Sequence, residues 1–164
     1  HIEKLAASGD PSRFRFSRPM LNAGQRPGDA DYYDVSFSGL KTAVLHAVRD
    51  AEKHGTLDGD RAHIARAFQD ALIETLAAKT VRAAAAHGRA RIVLGGGVAC
   101  NAALTGAVRA LATRELGAEA AVFAPTVRLA TDNAAMIARA ALFHLGRGER
   151  SGPSLNAFSS MPLA

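Results

Sequence analysis

Apolar residues recur every four positions through the middle of the chain, at Ile64, Phe68, Leu72 and Leu76. That step paints one face of a helix and predicts a long helix over 61–87, ended by Gly88. Two shorter stretches carry a similar pattern: 40–53, closed by His54-Gly55, and 101–116, with Leu104, Val108 and Leu111. A last helix is predicted over 132–145, stopped by Gly146. The apolar runs Arg91 to Leu94 and Ala120 to Ala124 read as short buried strands, the second halted by Pro125. Residues 33–37 read as another short strand, turning through Ser38-Gly39 into helix. At the start, Ile2 and Leu5 mark the end of a helix, stopped by Ser8-Gly9-Asp10-Pro11. Helix and strand alternate, so the fold class is α/β with at least two parallel strands. Two or three short strands make a poor complete sheet for helices this long, and further strands are expected upstream. No internal repeat is visible. Three parts follow: an irregular segment over 1–32 after the helix end, an α/β lobe over 33–148, and a flexible tail over 149–164, rich in Gly, Ser and Pro.

Composition narrows the picture. The chain has 164 residues and 48% apolar content, enough for one domain with a real core. No run approaches the roughly 18 uninterrupted apolar residues of a membrane span. The single cysteine, Cys100, excludes a disulfide framework and fits a reducing, cytoplasmic setting. The first residue is His1 rather than Met, with no basic-then-apolar leader, so a piece of a longer chain is expected. The formal charge is +5, and sixteen of the twenty basic residues are Arg. Arg forks onto phosphate where Lys acts as a point charge. A nucleic-acid or nucleotide partner therefore stands beside the plainer reading of an Ala- and Arg-rich solvated surface. Arg13-Phe14-Arg15-Phe16-Ser17-Arg18 alternates cations and rings. The pattern suits RNA, although a half-buried strand is its commoner meaning.

Three junctions carry candidate chemistry. Ser36 to Ala43, Gly95 to Asn101 and Thr131 to Ala138 each sit where a strand or loop gives way to a helix, the place where α/β proteins hold ligands. Gly95-Gly96-Gly97 lets backbone approach a ligand, and the helix N-terminus beyond offers N–H groups to an anion. The spacing is neither a dinucleotide fingerprint nor a Walker A loop. Asn101 is a helix cap or an amide that touches a base or ribose. Asp132 is a cap favoured by the helix dipole, or a carboxylate for a divalent cation or phosphate site. Lys41 is a solvated lysine or a phosphate contact. Cys100 reads as a small buried filler. The six histidines show no HxxxH or HExxH spacing.

Taken together, Ser36 to Val44, Gly96 to Asn101 and Thr131 to Ala138 resemble the universal tRNA threonylcarbamoyladenosine transferase family (TsaD), whose sequences commonly read "FSFSGLKTAV", "GGVxxN" and "TDNxAMIA". Ile2 to Ala6 and Arg13 to Met20 are similar to the stretch that follows the family's "GGP" loop, and the likeness runs to about residue 148. The resemblance implies an actin-like, RNase H-like two-lobe fold, shared with sugar kinases and heat-shock ATPases, of which this chain is the C-terminal lobe and half. It implies transfer of the threonylcarbamoyl group from threonylcarbamoyl-adenylate to N6 of adenosine 37 in tRNAs that read codons beginning with A. On the family pattern Asn101 contacts the nucleotide, Gly96 and Gly97 line the adenosine pocket, and Lys41 lies near the cleft. Asp132 inherits the role of ligand to one divalent metal, usually iron or zinc, together with two histidines of an HxxxH motif that lies outside this sequence. The partners implied are tRNA, a paralogous subunit and a small ATPase.

The family's "SGGHT" loop and "DDAAGEAFDK" segment are also absent from these residues, so the chain alone is expected to be inactive. Position 100 is Cys where small residues such as Ala are usual. A non-catalytic, nucleotide-binding paralogue of the same fold is the alternative, and Asp132 and Asn101 argue against it. A small-molecule kinase would need a catalytic Asp base, for which no residue here is a convincing candidate. A metalloprotease would need HExxH.

Overall fold

The computed structural model describes residues 1–22, 24–156 and 160. Helix α1 spans Ile2–Ala6, α2 Phe37–Lys53 and α3 Leu57–Ala86. Strand β1 (Arg91–Val93) leads through a 3-10 turn, Gly97–Cys100, into α4 (Ala102–Leu116). Strand β2 (Ala121–Phe123), the short α5 (Val127–Ala130) and α6 (Ala134–Gly146) follow. The strands are parallel, with Ile92 opposite Val122, and among the described residues they pair only with each other. The α/β expectation holds.

Helix α3 is the spine. Its C-terminal half sends Ile73, Ala77, Val81 and Ala84 into a core shared with Ile92 of β1 and Leu104, Val108 and Ala112 of α4. Its N-terminal half sends Ile64, Ala67 and Ala71 toward Leu40 and Ala51 of α2 and toward Phe16. Burial on more than one side explains why the four-residue step captured only part of its apolar surface. The helix ends on Gly88 at φ +59, where Arg89 N–H reaches back 2.8 Å to the Ala84 carbonyl. That six-to-one bond needs a left-handed residue, which glycine adopts freely.

Two predicted strands do not form. Residues 33–37 hold no strand: Ser36 caps α2, its Oγ accepting from Gly39 N–H at 3.3 Å, and the helix begins at Phe37 rather than Leu40. Arg13 to Arg18 have no partner strand either. Phe16 is buried and Phe14 packs beside it. Arg13 is paired with Asp60 at 2.7 Å and Arg18 with Glu74 at 2.6 Å. The alternation is real, but α3 supplies its inner and ionic contacts, so among the described residues Arg15 alone of the three arginines is unpaired.

Further along the same segment, a clamp fastens chain to helix. Lys79 Nζ donates to the carbonyls of Asp31 at 2.7 Å and Tyr32 at 2.8 Å. Arg82 Nη1 donates to Gln25 Oε1 at 2.9 Å and to Tyr32 O at 3.1 Å. Its guanidinium lies 4.4 Å over the Tyr32 ring, a cation–π contact.

Beyond β2 the packing thins. Val93 is 79% and Phe123 54% exposed, both on the sheet face turned away from α3 and α4. Helix α6 buries none of its residues, and Ile137 is 73% exposed. Among the described residues no helix is long and apolar enough to cross a membrane. Part of the predicted flexible tail, residues 157–159 and 161–164, lies outside the described residues; 149–156 form neither helix nor strand.

Candidate functional site

Strand β1 ends where its chain meets Gly95-Gly96-Gly97. Gly96 sits at φ +81 and ψ 173, a conformation open to glycine and strained for other residues. The turn that follows delivers Asn101 to the start of α4. Asn101 is the cap: its Oδ1 accepts from Leu104 N–H at 2.9 Å. Its Nδ2 meanwhile donates to Gln69 Oε1 of α3 at 3.2 Å. The Glu3 carboxylate of α1 accepts from Ala102 N–H at 3.1 Å.

These contacts correct one expectation. The N-terminus of α4 is not a vacant anion site, because two of its first N–H groups already have oxygen partners. The free donors lie one turn earlier. The exposed amides of Gly95 to Val98 donate to nothing among the described residues.

An open cleft of about 450 Å³ lies against this turn. Phe68, Leu72, Ile2 and Val98 give it apolar walls, and Gln69, Glu3 and Asn101 give it polar ones. Gly97 lines it, and Gly96 sits at the bend beside it. Cys100 also lines it, half-buried and unpaired.

The third junction comes close as well. A methyl group added at Gly97 would meet Thr131 Cγ2 at 3.9 Å, so the segment holding Asp132 adjoins the glycine turn. Asp132 is not the cap of the last helix. Asn133 is, accepting from Met136 N–H at 3.2 Å and donating to Thr131 O at 2.9 Å. The helix starts two residues later than predicted, because α5 and the Asn133 turn take up the intervening chain. Asp132 is left exposed, with no hydrogen bond or ion pair among the described residues. One free carboxylate is a hard oxygen donor but not a metal site. No group of three ligating side chains occurs among the described residues. Lys41 stands exposed on α2, unpaired among the described residues, and does not line the cleft.

Glu3 and Gln69 are the site residues that sequence reasoning missed. Glu3 carries no local signal, since its contact spans ninety-nine positions. Gln69 does carry one: an amide set between Phe68 and Leu72 on an apolar helix.

The family model for TsaD, tRNA N6-adenosine threonylcarbamoyltransferase, matches residues 1–139, and the chain belongs to that family. A relative of that name from Gemmatimonas aurantiaca is 58% identical over 166 residues, covering 99% of this chain and 46% of its own. Relatives of the same name from Cereibacter sphaeroides (48% identical, covering 99% of this chain and 44% of their own) and Anaeromyxobacter dehalogenans (45%, covering 95% and 43%) agree. The chain spans less than half the length of these curated relatives. Its parallel strands, with α3 and α4 on one face, are the α/β arrangement of an actin-like, RNase H-like lobe.

Proposed function

We propose that this protein takes part in transferring a threonylcarbamoyl group from threonylcarbamoyl-adenylate to N6 of adenosine 37 in tRNA, and that these residues supply part of the nucleotide site. One observation carries the reading. The glycine turn, Asn101 and the Thr131-Asp132 segment meet at the carboxyl ends of two parallel strands, beside a cleft with apolar walls.

The donor is a mixed anhydride with AMP and already activated, so the protein's task is alignment. Phe68 and Leu72 offer a dry surface to the adenine ring. The unpaired amides of Gly95 to Val98 suit a phosphate oxygen, and the second carboxylate oxygen of Glu3 suits a ribose hydroxyl. Asp132 would supply one hard oxygen ligand to a divalent metal, beside the two histidines that the family pattern places outside these residues. Arg15, Arg89, Arg91, Arg109, Arg128 and Arg139 are exposed and free of ion pairs among the described residues. They suit tRNA phosphates, with an affinity that falls as salt rises.

Nucleoside mass spectrometry of bulk tRNA from cells depleted of this protein tests the reading. Threonylcarbamoyladenosine is expected to disappear, and to return with the wild-type gene but not with Asp132→Ala. An unchanged level would overturn the reading in favour of a non-catalytic paralogue. Asn101→Ser separates cap from ligand contact. Serine caps about as well as asparagine but does not reach Gln69 Oε1, so melting should fall by roughly 2–8 °C, from about 1–2 kcal/mol, while AMP binding weakens by more than that loss explains. Equal AMP affinity in calorimetry would reduce Asn101 to a cap.

A further inference from the structure

The amide of Asn101 has its orientation set from both ends. Leu104 N–H points at one of its two terminal atoms, at 2.9 Å, and an N–H donor requires oxygen there. The other atom is therefore Nδ2, and the Gln69 atom facing it at 3.2 Å must be the acceptor Oε1. The hydrogen-bond chain fixes both amides. Gln69 is only 9% exposed, on the helix that anchors both cores. Asn101, by contrast, stands on a short turn between the glycines and α4. Its Nδ2 carries a second N–H with no acceptor among the described residues, and Asn101 lines the cleft.

We propose that Gln69 is a positioning residue: its Oε1 holds the Asn101 amide so that the remaining N–H is presented to an acceptor on the bound nucleotide. This rests on the nucleotide reading of the cleft. A cap alone leaves the far end of the asparagine free to rotate away, whereas the Gln69 bond ties it to the most embedded helix of the fold. Any residue with an acceptor oxygen at the same reach should serve. Glutamate therefore qualifies, and methionine, of similar length and without that oxygen, does not.

The test uses the full chain with Gln69→Met and Gln69→Glu, with Gln69→Leu in reserve should the methionine variant not fold. The first readout needs no nucleotide. In proton–nitrogen NMR spectra the two Asn101 side-chain N–H signals should be well separated in wild type and Gln69→Glu. In Gln69→Met they should move toward the values of a free amide. The second readout is AMP titration, followed on the backbone amides of Gly95 to Val98. Gln69→Met should raise the Kd at least tenfold, and Gln69→Glu should stay within threefold of wild type. Wild-type Asn101 signals and AMP affinity in Gln69→Met would overturn the positioning role. Weak AMP binding in both variants would also overturn it, since an acceptor oxygen would then not be what matters. Failure of the wild-type chain to respond to AMP would overturn the nucleotide reading itself, while the Asn101 signals would still report whether Gln69 holds that amide.

Discussion

Gly9→Ala is expected to push α1 off α3 and to lower the melting temperature by roughly 6–12 °C, from a loss of about 3 kcal/mol. A methyl group at position 9 would lie 2.2 Å from the Ala62 carbonyl oxygen and 2.5 Å from Arg66 Cβ. Both neighbours belong to the rigid body of α3, so no side-chain rotation relieves the clash. The adjoining contact fails with it, since Asp10 N–H donates to His63 Nδ1 at 2.8 Å. The damage should also travel. Once α1 is displaced, Glu3 no longer reaches Ala102 and the cleft loses a wall. Circular-dichroism melting, with AMP titration alongside, reads both effects. A variant that melts within 2 °C of wild type would show that α1 does not seat against α3 as described.

Lys79→Met should release the segment around Gln25 to Tyr32 while leaving α3 intact. Lys79 is 4% exposed and is the charged donor to two carbonyls; without it Asp31 O keeps only the Gln25 amide at 3.3 Å, while Tyr32 O keeps Arg82 at 3.1 Å. Removing a charged donor from such acceptors costs about 2 kcal/mol, or roughly 4–8 °C in melting temperature. Hydrogen exchange across 24–34 should accelerate most, and unchanged exchange there would dismiss the clamp. A pH signature accompanies it. Burial holds the Lys79 ammonium below the usual lysine range. The folded chain therefore gives up that proton before the unfolded chain does. Between the lowered folded pKa and 10.5 the unfolded state binds more protons, and stability from this group rises with pH. Below that window both states are charged and the burial cost is present in full. Wild type should show this alkaline gain, and Lys79→Met should lack it.

Much of the fold was legible because its signals are local. The helices around Leu104 and Ile64, and the strands at Ile92 and Val122, follow from periodicity and from glycine or proline stops. The errors fall where a distant partner decides. Tyr33 to Phe37 read as a strand, yet among the described residues no strand pairs with them, and Ser36 caps a helix. The aromatic-basic run at Arg13 finds its partners at Asp60 and Glu74, far along the chain. Asp132 and Asn133 are adjacent and both suit a cap, and sequence alone does not choose between them. The motif residues Gly97, Asn101 and Asp132 were visible as types and spacing. Glu3 and Gln69 became site residues only when α1 and α3 packed beside the glycine turn.

The bare face of the two-stranded sheet and the uncovered α6 have a practical meaning at the bench. Val93 and Phe123 lie on one surface, and Ile137, Leu142 and Phe143 lie on the other. Exposed apolar area of this kind drives association in water. Handled by itself at rising concentration, the chain should bind solvatochromic dyes, cling to phenyl resin and scatter light. Mild detergent or arginine in the buffer should reverse each behaviour before any assay of activity begins.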